Sequence, residues 1–168
     1  ERPVLFENTG DGFERSGSLP NLTYPLIKSA IFFDADGDDW DDLLLIPRFG
    51  EPIYLENMNG SYEQTDRGFD RELQWGVGAT AADFDSDGDL DVFVIQNGNW
   101  QNGVPRREPL QALDGYPNIL FENTGDRFQR VTDAGVAGSH WSLATSFVDL
   151  TNNGYPDIHV ANDFGWDI

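Results

Sequence analysis

Cysteine is absent from this 168-residue chain, and histidine, lysine and long apolar runs are scarce. Without cysteine the chain has no disulfide framework, no thiolate metal site and no cysteine nucleophile. No apolar run approaches the roughly 18 residues of a membrane span, so membrane insertion is not expected. The two histidines, His140 and His159, belong to no nucleophile–base motif. We therefore predict that the protein is not an enzyme.

Basic residues are also few, with 10 against 30 acidic residues and a net charge of −20. This excess repels nucleic acids and anionic membranes, and it favours cations as partners. Thirteen of the 30 acidic residues lie in three nine-residue segments, 34–42, 83–91 and 149–157. Hydrophobic residues still make up 39% of the sequence, which is enough for the core of a single domain over 1–168.

Two motifs alternate along the chain and define a repeat. One is the acidic segment, which reads Asp-x-Asp-x-Asp-x-x-x-Asp in 34–42 and 83–91. The other is a hairpin motif, Leu-Phe-Glu-Asn in 5–8 and 120–123 and Tyr-Leu-Glu-Asn in 54–57. An aromatic residue follows each hairpin Asn by five positions, and the next acidic segment begins 26 positions after the same Asn. The aromatic residues are Phe13, Tyr62 and Phe128.

Apolar stretches of small or β-branched residues flank each acidic segment, which predicts a strand on either side of it. These stretches are 29–33 and 43–46, 78–82 and 92–95, and 144–148 and 158–161. Each unit is predicted to run strand A, acidic loop, strand B, connection, strand C, a turn, and strand D beginning at the aromatic residue. Four short antiparallel strands in about 50 residues are typical of a β-propeller blade.

We therefore predict an all-β fold with about three blades' worth of strands. The predicted blades span 26–66, 75–132 with an insertion within 98–117, and a split blade made of 141–168 and 1–17. The split blade consists of an A–B pair and a C–D hairpin, which are complementary halves. Three alternatives follow: a fragment of a longer propeller, two copies joined head to tail into six blades, or a polymer. The start Glu1-Arg2-Pro3 favours a mature or excised piece.

The acidic segments are predicted to bind one Ca²⁺ ion each. Ca²⁺ takes about six to eight oxygen ligands, and alternating side chains of a tight loop converge on one point. Positions 1, 3, 5 and 9 supply side chains and position 7 a carbonyl, which gives Asp34, Asp36, Asp38, Trp40 and Asp42; Asp83, Asp85, Asp87, Asp89 and Asp91; and Asp149, Thr151, Asn153, Tyr155 and Asp157.

The third segment has only two carboxylates and is predicted to be the weakest site. At position 6, Gly88 and Gly154 suit a positive φ, and Asp39 tolerates it better than most residues do. An EF-hand does not fit, because the last carboxylate comes at position 9 instead of 12. The alternative is a set of solvated acidic turns, and three occurrences in one register argue against it.

These motifs resemble the FG-GAP or VCBS repeats of integrin α-subunit propellers and of secreted proteins of the cartilage acidic protein and ASPIC/UnbV type. The resemblance rests on 82–92, on the Leu-Phe-Glu-Asn-Thr-Gly hairpins and on Val160-Ala-Asn-Asp-Phe-Gly165. It implies structural Ca²⁺ loops, an extracellular or cell-surface location and a propeller built for binding. Asp39 and the Thr/Asn-containing third loop depart from the family pattern.

In such a meander the acidic loops and the C–D turns share one face, so a protein or glycan partner is expected on the opposite face. Binding surfaces favour aromatic and arginine side chains. The candidate contacts on that face are Trp100, Arg106, Arg107, Trp75, His140 and Trp141. For Trp75 and Trp141, each eight residues before an acidic segment, a structural role is an equal alternative. Three functions remain open: an adhesion or protein-binding module, a lectin-like propeller, or the non-catalytic scaffold of a secreted polysaccharide-active enzyme.

Overall fold

The computed structural model describes residues 3–98 and 114–163, and this part of the chain is all-β with no helix. Its strands run antiparallel and short, as the alternation of turns and β-branched stretches predicts. They are β1 Phe6–Asn8, β2 Phe13–Arg15, β3 Ile27–Phe33, β4 Asp42–Pro47, β5 Ile53–Asn57, β6 Tyr62–Gln64, β7 Gly76–Ala82, β8 Asp91–Gln96, β9 Ile119–Asn123, β10 Phe128–Val131, β11 Ser142–Val148 and β12 Asp157–Asn162.

The strands form two four-stranded meanders and two two-stranded sheets. The meanders have the orders β3-β4-β5-β6 and β7-β8-β9-β10, and they correspond to the predicted order of strands A to D. The two-stranded sheets are β1-β2, a C–D hairpin, and β11-β12, an A–B pair. The described residues form no closed ring, so the number of blades stays a prediction.

Every strand A carries a register shift at the same repeat position. The pairing skips one residue between Ile27 and Ser29, and the same shift occurs in 76–78 and 142–144. Such a bulge bends the strand and increases its twist. Each strand A therefore begins two residues before the stretch that the sequence predicts.

The main core lies between the two four-stranded sheets. Its centre is a cluster of aromatic rings in which Phe69 stacks on Phe128 at 4.4 Å between ring centroids and meets Phe121 at 5.1 Å. Strand β4 supplies Leu44 and Ile46 from the facing sheet, and both are completely buried. Strands β4 and β8 are buried along their whole length, so each is an interior strand whose two faces are both covered.

Two further clusters cover the outer faces of these sheets. One joins β8 and β9 to the β11-β12 sheet, with Phe93, Ile95 and Val160 at its centre. The other covers β4 and β5 with the segment that follows β2, and Leu5 and Leu22 pack against it. Strand β7 contacts both β3 and β11, so the first strands of successive units are neighbours. Among the described residues no helix has the length and hydropathy needed to span a membrane.

Candidate metal-binding loops

Loop 1 (34–42), loop 2 (83–91) and loop 3 (149–157) each connect strand A to strand B and share one hydrogen-bond pattern. In each loop the carboxylate at position 1 accepts backbone N–H groups from the turn. The Asp34 carboxylate accepts from Gly37 at 2.8 Å and from Asp39 at 3.0 Å. The equivalent bonds are Gly88 to Asp83 at 3.1 Å and Gly154 to Asp149 at 2.9 Å. Loop 3 therefore has the same backbone scaffold despite its different side chains.

The backbone turns back at two positions in every loop. Position 6 has a positive φ at Asp39, Gly88 and Gly154, which confirms the expectation for this position. Position 4 also has a positive φ, of 65° at Ser86 and 54° at Asn152. This second left-handed residue is unexpected from the sequence. Glycine adopts this region freely and Asn tolerates it, but position 4 holds a different residue in each loop, so the sequence indicated a positive φ there only weakly.

The carboxylate at position 9 anchors loops 1 and 2 to their sheets. Asp42 and Asp91 are buried, with 1% and 0% of their surface exposed. The Asp42 carboxylate accepts the Ala35 N–H at 3.1 Å and the Asn57 N–H at 2.8 Å. The Asp91 carboxylate accepts the N–H of position 2 at 2.9 Å and that of Asn123 at 2.8 Å. Each buried carboxylate thus ties its loop to strand C of the same sheet.

The hairpin asparagines have a role that the sequence analysis missed. Their side chains bind the acidic loops, and the Asn57 amide donates to the Asp41 carbonyl at 2.9 Å. The Asn123 amide donates to the Ala35 carbonyl at 2.8 Å, and Ala35 belongs to loop 1 of the neighbouring sheet. Arg67 donates to the same carbonyl at 3.0 Å. Loop 1 is therefore held by groups from both four-stranded sheets.

Crowding and burial disfavour the charged form of some of these carboxylates. Burial raises the pKa of Asp91 to about 6, although the N–H groups of Asn123 and Phe84 act in the opposite direction. The pKa of Asp36 is also raised, first by burial and then by the charges of Asp42 and Asp38. A cation among these oxygens would offset both penalties, because an opposite charge nearby favours the ionised form.

The geometry of loops 1 and 2 fits a hard cation. Two oxygens bound to one Ca²⁺ ion are separated by at most about twice the Ca–O distance of 2.3–2.6 Å. In each loop three carboxylates offer oxygens within 4.8 Å of one another, and these sets are Asp34, Asp36 and Asp42, and Asp83, Asp85 and Asp87. All these candidate donor atoms are oxygens, the type that Ca²⁺ prefers, and the sets contain none of the nitrogen and sulfur donors usual for Zn²⁺.

The other predicted ligands lie next to these sets. The residue at position 5 accepts the N–H of position 7, as in Trp40 to Asp38 at 2.8 Å and Tyr155 to Asn153 at 2.8 Å. Asp89 donates to Asp87 in the same way at 3.0 Å. Asp38 and Asp91 stand outside the two close sets of carboxylates.

In loop 3, Asp149 and Asp157 are the two carboxylates and Thr151 the exposed side chain at position 3. The Asp157 carboxylate accepts the N–H of Leu150 at 2.9 Å, but among the described residues no C strand pairs with this sheet. The position-9 carboxylate of loop 3 therefore has fewer hydrogen-bond donors than those of loops 1 and 2.

Trp75 and Trp141 lie at the end of the sheets opposite the loops, but both are buried, with 8% and 1% of their surface exposed. The Arg48 guanidinium stacks on Trp75 at 3.4 Å from the ring centroid. Trp141 donates from its indole nitrogen to Asp114 at 3.0 Å, and its ring packs so close to Gly98 that no side chain fits there. Burial favours the structural alternative for both tryptophans over a partner contact.

The remaining partner candidates are placed differently. His140 is half-buried at the same end. Trp100, Arg106 and Arg107 lie outside the described residues. Phe49, with 50% of its surface exposed beside Arg48 and Trp75, is an exposed aromatic side chain at this end that sequence reasoning missed. Its position just after strand B is the signal that could have identified it.

Neither the family models nor the curated proteins searched give a match to this chain.

Replacing Asn123 with alanine is expected to lower the free energy of unfolding by about 2–3 kcal/mol. The change leaves the buried carbonyl of Ala35 with fewer donors and removes the acceptor for the Gly125 N–H, which lies at 3.1 Å. Urea denaturation followed by tryptophan fluorescence measures the effect. Asn21→Ala makes the same change at an exposed residue and should alter the free energy by less than about 0.5 kcal/mol. Equal effects of the two changes would contradict the role of Asn123.

Proposed function

We propose that this chain is a calcium-binding β-propeller repeat module of the FG-GAP or VCBS kind, which binds a partner outside the cell and catalyses no reaction. Calcium in the acidic loops rigidifies the blades. The observation that carries the proposal is the repeated loop, in which three carboxylates offer oxygens within 4.8 Å of one another in loop 1 and again in loop 2.

The repeated sheets support the propeller part of the proposal. Each four-stranded sheet is a meander in which strands pair only with their sequence neighbours, as in propeller blades. The sheets stack face to face through apolar clusters, and strand A of each unit contacts strand A of the next. These are the contacts expected of blades arranged radially with their A strands nearest the central axis.

The loops belong to this scaffold and are not free turns. In loops 1 and 2 the position-9 carboxylates are buried in the sheets, so ion binding there acts directly on the packing between strands B and C. A rigid scaffold with irregular connections at the other end is the usual arrangement of a binding domain. We propose that the partner, a protein ligand, contacts the end opposite the loops, where Phe49 and Arg48 lie.

Calcium titration of two matched variants of loop 1 tests the proposal. Asp36→Asn removes a proposed ligand, whereas Asp39→Asn removes the same charge at position 6, where the side chain is not a ligand. Asp36→Asn should weaken calcium binding by on the order of tenfold or more, because ligand charge sets the affinity of such loops. Asp39→Asn should weaken it much less, since Asn also tolerates a positive φ.

Trp40 provides the readout, because it lies at position 7 of loop 1 and 42% of its surface is exposed. Its fluorescence should change on calcium addition and saturate. A titration in which the unaltered chain shows no saturable signal, or in which both variants lose affinity equally, would overturn the proposal in favour of solvated acidic turns.

A further inference from the structure

Arg48 and Phe49 follow directly after strand β4, at the end of the sheets opposite the loops. Backbone hydrogen bonds hold the chain on either side of their side chains. The Arg48 N–H donates to the Leu26 carbonyl at 2.8 Å, and the Gly50 N–H donates to the Leu73 carbonyl at 3.0 Å. The two side chains therefore project from a connection whose backbone is fixed, and a preformed site of this kind lowers the entropy cost of binding.

The guanidinium of Arg48 lies against two aromatic rings. Its Cζ atom is 3.4 Å from the centroid of the Trp75 ring and 5.3 Å from that of Phe49. The two rings meet edge to face, with 5.4 Å between their centroids and 89° between their planes. Stacking restricts the rotamers of this long side chain, so less conformational entropy is lost when the guanidinium binds an acceptor.

Arg48 nevertheless has no acceptor of its own. Its Nε is buried without a hydrogen-bond partner, and no described residue accepts a hydrogen bond from its other two side-chain nitrogens or forms an ion pair with it. Glu51 follows on the same connection and Glu72 precedes Leu73, but both are exposed and leave Arg48 unpaired. The chain has 30 acidic residues, and the fold brings none of the described ones to this guanidinium.

We propose that Arg48 and Phe49 bind a carboxylate of the partner protein, with an apolar side chain of that partner against the Phe49 ring. A guanidinium presents paired N–H donors in one plane, which matches the two oxygens of a carboxylate. Phe49 has 50% of its surface exposed beside it and provides the apolar contact. Aromatic and arginine side chains contribute most of the binding energy at many protein interfaces. This inference rests on the proposed function, which assigns a protein ligand to this end of the fold.

The acidic loops do not oppose this contact. The six residues of strand β4 separate Arg48 from loop 1, and six residues span about 20 Å at roughly 3.3 Å each. The Debye length is about 8 Å at physiological ionic strength, so the loop charges are largely screened at that distance. Nearer charges are Glu51 and Glu72 and, next to Glu72 in the sequence, Arg71. With Arg48 these charges balance, so the stacked guanidinium determines which group binds.

NMR titration of the isotope-labelled 168-residue chain in calcium tests the proposal, with the peptide acetyl-Leu-Asp-Leu-amide as the probe. The Arg48 Nε–H signal and the Trp75 indole N–H signal should shift and saturate at about millimolar peptide, as expected for one charged contact with an apolar neighbour. Acetyl-Leu-Asn-Leu-amide has the same shape without the charge and should bind about tenfold more weakly or less, because hydrogen bonds to charged groups are stronger. This comparison uses the unaltered chain, so it does not depend on the folding of a variant.

Two variants separate the stacked guanidinium from its charge, and the Trp75 indole signal follows binding in both. Arg48→Lys keeps the charge but loses the planar pair of donors, so it should weaken binding of the acidic peptide by on the order of tenfold. Phe49→Ala should weaken it by about threefold to tenfold, because part of the apolar contact is lost. Arg15→Lys makes the same change at an exposed arginine of β2; it is the matched control and should leave the affinity unchanged.

Equal binding of the two peptides, or no saturable shift with the acidic one, would overturn the proposal. Tighter binding of an oligogalacturonate at the same carboxylate concentration would also overturn it, because the ligand would then be an acidic glycan and not a protein. Trp40 fluorescence reports calcium at loop 1 separately. A calcium signal without a peptide response would therefore refute this contact and leave the proposed calcium binding intact, whereas a peptide response without a calcium signal would do the reverse.

Discussion

Replacing Phe128 with alanine is expected to lower the free energy of unfolding by about 3–5 kcal/mol, the usual cost of removing a buried phenyl ring. Phe128 has no exposed surface. Its ring stacks on Phe69 and meets the edge of Phe33 at 6.1 Å between centroids, so it joins both four-stranded sheets. Removing it opens a cavity between two faces that the surrounding rigid strands cannot close. Urea denaturation followed by circular dichroism measures the change.

Phe13 offers a matched control, because it occupies the same repeat position in the β1-β2 hairpin. With 71% of its surface exposed, Phe13→Ala should change the stability of the single chain by less than about 0.5 kcal/mol. Similar losses for both variants would mean that the hairpin is covered within the single chain, contrary to its exposure.

The strand order could be predicted from the sequence because its signals are local. The aromatic residues Phe13, Tyr62 and Phe128 each begin a strand D as predicted, since an apolar side chain directly after a glycine-containing turn marks where pairing resumes. The ends of strands A are also correct, because each is followed at once by an Asp that accepts N–H groups from its own loop. Where the residues that decide a feature lie close in sequence, the pattern alone suffices.

Other features depend on packing and could not be predicted in this way. The bulge at Lys28 leaves no mark in the composition of β3, so the predicted strand starts two residues late. The hydrogen bond from Asn123 to Asp91 of loop 2 joins residues that are 32 positions apart in the sequence. The equivalent Asn57 and Asp42 are 15 positions apart. The insertion accounts for the difference, and it hid a contact that the common repeat position could have suggested.

The two tryptophans illustrate why burial escapes a repeat pattern. Trp75 and Trp141 have the same position before their loops, and their place at the end opposite the loops is as expected. They are covered by Arg48, which directly follows β4, and by Asp114, which lies within the range 98–117 of the insertion, and neither is a repeat position. Aromatic and arginine side chains on connections predict a binding surface only when no neighbour in the fold covers them.

Removing calcium is expected to lower the free energy of unfolding by about 5 kcal/mol, as the sum of two loops. A ligand present at a hundred times its Kd stabilises the folded state by about 2.7 kcal/mol per site if the unfolded chain does not bind it. The closely spaced carboxylates of loops 1 and 2 are the two sites proposed for the ion. The buried Asp42 and Asp91 accept hydrogen bonds from backbone N–H groups, and the charges of Asp85 and Asp87 raise the pKa of Asp91 further after burial has raised it.

Thermal unfolding with excess calcium and with excess chelator measures this effect, with magnesium as the control cation. Magnesium should restore little of the lost stability, because it demands a stricter octahedron and gives up its water reluctantly. Asp85→Asn should remove about half of the calcium-dependent gain, since it weakens one of the two sites. A melting temperature that is the same in calcium and in chelator would show that the loops are stable without an ion, and the carboxylates would then have to be held by their N–H donors alone.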